Sequence, residues 1–365
     1  MNRYAGLCVL LSGSLLLGGC SSMLERDYSA VTPHSATPVV ESDQLTIRVE
    51  RYQDLVNALM YFITQGRESG VIRLYNYPYD VKKDLEAACY EVAKEDPLGA
   101  YAVENIDYTI TPIVSCYESN IQISYRRTPQ QVASVTVAAG SAAIRGKLRM
   151  ALEQFQEELV LRVNYFDQDE EYIHDLLREA YLSSPGIALD FPQVTVNLYP
   201  ADSRQRVVEI LLNYSLEHAT LTRRQSQVEQ SAHNAEIHLR GFMGDAAILE
   251  ARHMILDTTV YRPSGGDTAY HALIEHQANS LGLSLTMSLL CQQSGIPCTI
   301  IEGTLNGVPH TWNIVSTAQG QFHLDLTQSQ ENTSPSPFCS DKEMAASGYL
   351  WDNNTVPSCT AEYIP

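Results

Sequence analysis

The chain has 365 residues, 44% of them hydrophobic and 18% charged, and a formal net charge of -19. That is enough apolar material for two or three domains, each with its own core. Its 43 acidic against 24 basic side chains argue against nucleic acid or an anionic surface as a partner, because like charge repels.

The first twenty residues stand apart from the fold. Arg3 supplies positive charge, Ala5 to Leu17 an apolar run too short to span a bilayer, and Leu17-Gly18-Gly19-Cys20 closes it. This segment resembles a bacterial lipoprotein signal; the residues alone also permit an ordinary secretory signal with a chance Cys20. The resemblance implies cleavage before Cys20, diacylglycerol on its thiol, and a chain anchored to a membrane of the cell envelope outside the cytoplasm. No later apolar run approaches the roughly 20 residues of a membrane span. Residues 21–43 are rich in Ser, Thr, Pro and Val without periodicity and read as a tether. As a flexible coil it would reach about 25–30 Å.

Two tandem αβαββ modules are expected next, over residues 44–128 and 141–217. The first reads as helix (Tyr52 to Gly66), strand (Gly70 to Asn76), helix (Tyr79 to Lys94) and two strands (Asn105 to Pro112, Asn120 to Tyr125). The second repeats the order, with strands at Glu158 to Tyr165, Gln193 to Tyr199 and Arg206 to Tyr214 and a helix at Asp169 to Leu182. Asn76-Tyr77 is matched to Asn164-Tyr165, Tyr108-Thr109-Ile110 to Val194-Thr195-Val196, and Tyr125 to Tyr214. Apolar helix stripes recur at Val81, Leu85, Ala88 and Val92 and at Ile173, Leu176, Leu177 and Ala180. Neither module carries a glycine-rich phosphate loop or paired catalytic carboxylates.

Residues 222–365 form the last unit. A polar helix from about Thr222 to Arg240 and a second helix ending near Thr259 precede a loop at Pro263-Ser264-Gly265-Gly266. An apolar helix then runs from Ser280 to Gln293, stops at Ser294-Gly295-Ile296-Pro297, and gives way to strands around His310 and Asp325. Leu281, Leu283, Leu285, Met287, Leu289 and Leu290 surround that helix, which marks it as central. A hydroxyl at its start, a His on a following strand and an Asp beyond it are the parts of a catalytic triad: Ser280, His310 and Asp325.

The stretches AYHALIEHQANSLG, SGIP, HTWNIV and FHLDLT resemble, in that order, the landmarks of the bacterial transglutaminase-like proteins. That family has a papain-like Cys-His-Asp domain, so the resemblance implies an α+β chain of two αβαββ modules followed by a transglutaminase-like (papain-like cysteine protease) domain. His310 takes the family's His and Asp325 its Asp, while Ser280 falls where the family carries its cysteine. A thiol of ordinary pKa about 8.5 is readily ionised by the His and a helix N-terminus; a serine hydroxyl attacks only if His310 takes its proton. Three functions stay open. One is a noncatalytic domain that binds a protein, peptide or cell-wall ligand; another is an extracellular hydrolase, peptidase or acyltransferase using Ser280; the third is a structural or assembly component that depends on the two modules alone.

Trp312, Gln277 and Asn279 are cleft candidates, with capping of the helix the plainer role for Asn279. His271, His276, His253 and His323 read as surface or helix-packing residues. No Cys or His cluster has zinc spacing, and neither metal nor cofactor is expected. Six cysteines follow Cys20, and their proximity in the chain favours Cys339 with Cys359 and Cys89 with Cys116 as disulfides. Cys291 and Cys298 are then left as core thiols or a third pair.

Overall fold

The computed structural model describes residues 38–40, 46–328 and 337–364. The signal segment, Cys20 and most of the tether lie outside the described residues. The first sheet is built from β1 (Val39–Val40), β2 (Thr46–Val49), α1 (Tyr52–Thr64), β3 (Ser69–Tyr75), α2 (Val81–Tyr90), a π-helical turn (Glu91–Glu95), α3 (Pro97–Ala102), β4 (Val103–Ile113) and β5 (Cys116–Tyr125). Its strands lie in the order β1-β2-β3-β5-β4, with β2 parallel to β3 and the other pairs antiparallel. β1 therefore draws the end of the expected tether into the sheet.

After α4 (Pro129–Ser134) come β6 (Thr136–Ala138), α5 (Gly140–Glu153), β7 (Glu158–Val163), α6 (Glu170–Leu182), β8 (Gln193–Tyr199) and β9 (Arg206–Asn213). They form a second sheet in the order β6-β7-β9-β8, with β6 parallel to β7. Each sheet thus holds, ahead of its first long helix, a strand parallel to the next one (β2 and β6) that the expected αβαββ order lacks. Strands as short as β2 and β6 show too few residues for their alternation to be read.

The two units keep step. Positive φ recurs at Gly66 (62°) and Phe155 (49°) and at Asn76 (48°) and Tyr165 (59°), each pair 89 residues apart, as are the N-caps Asp80 and Asp169. Asn76 therefore answers Tyr165 rather than Asn164, because the left-handed residue that ends the strand defines the match. Across the ladders, Asp107 faces Gln122 and Thr195 faces Leu211. The expected match of Tyr108-Thr109-Ile110 with Val194-Thr195-Val196 is thus displaced by two residues.

α1 and α2 bury Leu55, Leu59, Phe62 and Leu85 against Ile72, Ile121 and Ile123 of the first sheet, and α5 and α6 do the same on the second. At roughly 1.5–3 kcal/mol for each large side chain, this burial holds helix to sheet. Val160 and Val207 of the second sheet join the first core, so the units share a packed face. Within that face the buried Glu209 carboxylate accepts from Arg127 (2.7 Å), Asn197 (2.9 Å) and Tyr199 (3.2 Å).

All six cysteines among the described residues are free thiols. Cys89 and Cys116 do not meet. α2 turns Cys89 into the core, while alternation along β5 puts Cys116 on the face opposite Ile121 and Ile123, so the sheet separates them.

The rest comprises α7 (His218–Leu239), α8 (Asp245–Thr258), β10 (Val260–Gly266), α9 (Ala269–Leu273), β11 (Gln277–Ala278), α10 (Ser280–Gln293), β12 (Cys298–Leu305), β13 (Val308–Thr317), β14 (Gly320–Leu324), α11 (Asp341–Ala346) and β15 (Tyr349–Leu350). The expected loop at Pro263 to Gly266 belongs to β10, which pairs in parallel with β11 through a bulge. α10 packs on an antiparallel sheet of order β14-β13-β12-β15. The fold is α+β. Among the described residues no helix is long and apolar enough to cross a membrane.

The Arg127–Glu209 contact gives a direct test. Arg127→Ala leaves a buried carboxylate without its cation and should cost about 3 kcal/mol, whereas Glu209→Gln keeps an acceptor for Asn197 and Tyr199 and should cost about half as much. Urea unfolding followed by far-UV circular dichroism measures both.

Candidate active site

α10 starts where its local chemistry says it should. The Asn279 side chain accepts from the Gly282 N–H at 3.0 Å, an N-cap of the kind that stabilises a helix by about 1 kcal/mol. Gly282 itself is required by packing: a Cβ there would stand 2.8 Å from the Gly266 carbonyl oxygen and 2.9 Å from the Ala278 Cβ. From Gly282 to Cys291 every residue of α10 is buried, while Ser280 at its first position is half-buried.

The sheet beside it is set by a two-residue turn. Asn306 (φ 52°) and Gly307 (φ 80°) are both left-handed, the pairing that matches the twist of a hairpin. They fix β12 against β13 so that His310 faces Gly303 and Trp312 faces Ile301 across the ladder. β14 then returns beside β13 and delivers Asp325 one residue past its end.

His310 Nε2 and Asp325 Oδ2 are 2.8 Å apart. The same carboxylate accepts from the Thr327 backbone N–H and hydroxyl, both at 2.8 Å, and from the Tyr349 hydroxyl at 2.5 Å. A carboxylate so surrounded holds the Nε2 proton of His310 and leaves Nδ1 as the ring's basic nitrogen. Burial, then the charge and hydrogen bond of Asp325, push the Tyr349 phenol well above its ordinary range, so it stays a donor. The His310 ring stacks on Trp312 (centroids 6.3 Å, 23° between planes) and meets Tyr349 edge-on (5.9 Å).

A second relay lies beneath it. The Trp312 indole N–H donates to His323 Nδ1 at 2.8 Å, and His323 Nε2 lies 2.8 Å from Asp341 Oδ1. Asp341 Oδ2 in turn accepts from the Cys359 N–H at 2.9 Å, which ties down the tail. His323, Asp341 and Cys359 bring ligand-type atoms within 4.8 Å of one another. They do not fit a metal ion, because the Trp312 N–H forces the tautomer in which Nε2 carries a proton and offers no lone pair.

The structure brings together His310 and Asp325. Among the described residues no hydrogen bond joins Ser280 to His310. Asn313 donates to the Ser284 carbonyl of α10 at 3.0 Å, and Trp312 lies on the alternate face of β13 with Ile301 and Tyr349. Trp312 is fully buried and walls no cleft. Gln277 is exposed on β11, and Asn279 is spent on its cap. His323 is fully buried, not superficial, because it is the acceptor that the buried indole needs. Thr327 and Tyr349 were missed. Thr327 lies within the FHLDLT segment, but nothing local marks Tyr349.

No protein-family model matches the chain, and no curated protein matches it. Among solved structures it is similar to a TGase, at 12% identity over 63% of this chain and 67% of that one, with a TM-score of 0.28. It is also similar to a candidate cysteine protease from Cytophaga hutchinsonii (12% identity, 37% of this chain and 62% of that one, TM-score 0.25). A candidate protease from Parabacteroides distasonis matches at 12% identity over 49% of this chain and 40% of that one, with a TM-score of 0.24. Likenesses this partial carry neither fold nor function to this chain.

The buried His323 makes stability depend on pH. Burial lowers its pKa below the ordinary 6.5 despite the opposing pull of Asp341. The unfolded chain therefore binds the proton first, and the stability that neutral His323 contributes is complete above pH 6.5 and falls away below it. The thermal midpoint should drop between pH 7 and pH 5, and His323→Gln, which keeps an acceptor for Trp312, should flatten that part of the profile.

Proposed function

We propose that this chain is an extracytoplasmic lipoprotein, anchored through Cys20, whose residues 222–365 form a transglutaminase-like domain that binds a protein, peptide or cell-wall component without turning it over. The observation that supports this reading is a serine, not a cysteine, at the head of α10. His310 packs against Trp312 and Tyr349, and among the described residues no hydrogen bond joins it to Ser280. Serine attacks only when a base within hydrogen-bond reach removes its proton during the reaction. Export is supported by the Leu17-Gly18-Gly19-Cys20 pattern, and the net charge of -19 favours a basic ligand.

One observation favours a second reading, a hydrolase or acyltransferase that uses Ser280. The His310–Asp325 pair is supported by Thr327 and Tyr349, and among the described residues no hydrogen bond engages Nδ1. A swing of the His310 side chain toward α10 would make a Ser-His-Asp triad.

The two readings part in one experiment on the full-length chain purified in detergent. A fluorophosphonate probe should leave the protein unlabelled, and cosedimentation with isolated cell-wall material should be equal for wild type and His310→Ala. Labelling that vanishes in both Ser280→Ala and His310→Ala would replace the binding reading with the hydrolase. In Ser280→Cys, the helix N-terminus alone should make the new thiol reactive, so adding His310→Ala should change its iodoacetamide rate less than about threefold.

A further inference from the structure

α10 ends at Gln293, and the turn Ser294-Gly295-Ile296-Pro297 brings the chain straight back into β12 at Cys298. The turn is closed by the Ile296 N–H donating to the Cys291 carbonyl at 2.9 Å. That closure brings two cysteines into one core across the joint of helix and sheet, near enough for the Cys298 thiol to push the Cys291 thiol up in pKa. Both lie in the core that α10 shares with Val315 and Phe322, Cys291 fully within it and Cys298 packed against its edge. Cys298 Sγ also accepts from Asn313 Nδ2 at 3.3 Å, and the same amide donates to the Ser284 carbonyl at 3.0 Å. The sulfur pair is therefore held by the residue that links α10 to β13.

We propose that Cys291 and Cys298 form a redox pair, closing to a disulfide that staples the end of α10 to the start of β12. The inference depends on neither the lipid anchor nor the role of Ser280. Cys298 is the more exposed of the two and reacts first. Its thiolate attacks a protein or small-molecule disulfide and releases one thiolate, and Cys291 then attacks Cys298 Sγ and releases the second. Two protons and two electrons leave the pair, and the reagent disulfide becomes two thiols. The contact with Cys298, followed by burial, holds Cys291 protonated well above the ordinary thiol range. The second step is thus the slow one, and it quickens as pH rises.

The test is oxidation of the full-length chain in detergent by oxidised glutathione, followed by alkylation in denaturant and peptide mapping by mass spectrometry. The expected product joins Cys291 to Cys298, two hydrogens lighter than the reduced peptides, with the far-UV spectrum unchanged and the unfolding temperature raised. In Cys291→Ser, Cys298 should accumulate as the glutathione mixed disulfide; in Cys298→Ser, buried Cys291 should stay reduced. Both thiols remaining free in the wild type, either one bridged to a different cysteine, or a persistent wild-type mixed disulfide on Cys298 would overturn the proposal.

Discussion

A carboxylate sheltered from water has to be met by donors, and the last third of the chain is arranged around meeting Asp325. His310 comes from β13, Thr327 from just beyond Asp325 itself, and Tyr349 from β15, after α11 has carried the chain away and back. Leaving such a charge unpaired costs several kcal/mol, more than any single helix cap or turn here supplies. The tyrosine donor can be delivered only if β15 adds to β12, which pairs Tyr349 with Leu305 and Leu350 with Thr304. One buried charge thus specifies the pairing of an edge strand only two residues long.

The same logic runs one layer deeper. Tyr349 packs edge-on against Trp312 at 5.1 Å, and burying that indole creates a need for an acceptor that His323 fills. His323 then needs Asp341, and Asp341 binds the backbone at Cys359. Each polar group brought inside demands the next, until the sequence of bonds reaches a segment near the surface. The tail after Asp325 is therefore part of the site's support, although it carries none of the candidate reacting groups.

What could be read from the sequence follows from how local each cause is. α10 was legible at both ends, since the Asn279 cap, the apolar run and the Ser294-Gly295 stop all act within a turn of the helix. The pairing of His310 with Asp325 could be anticipated, because each lies within a few residues of a strand with its own apolar signal. The Asn306-Gly307 turn was an available cue that fixes the register of His310. Tyr349 and the burial of His323 were not legible, because each is defined by a partner on another element. The opening strands β2 and β6 are stabilised by the strands they join rather than by any alternation of their own. The slips in matching the two units have a similar origin: residue likeness was used where ladder position and the left-handed Asn76 and Tyr165 are the true markers.

The consequence of having Ser280 at the head of α10 can be weighed in free energy. A helix N-terminus favours an adjacent anion by about 0.3–2 kcal/mol, which at about 1.4 kcal/mol per pKa unit is a shift of one unit or so. That suffices to ionise a thiol near neutral pH and is far too little for an aliphatic hydroxyl. Only a base in direct contact could activate Ser280. What remains at the helix start is a neutral hydroxyl beside backbone N–H groups of the first turn that have no acceptor within the helix. The bond that helps satisfy the buried Asp325 carboxylate engages His310 through Nε2, so any base work at Ser280 would fall to Nδ1.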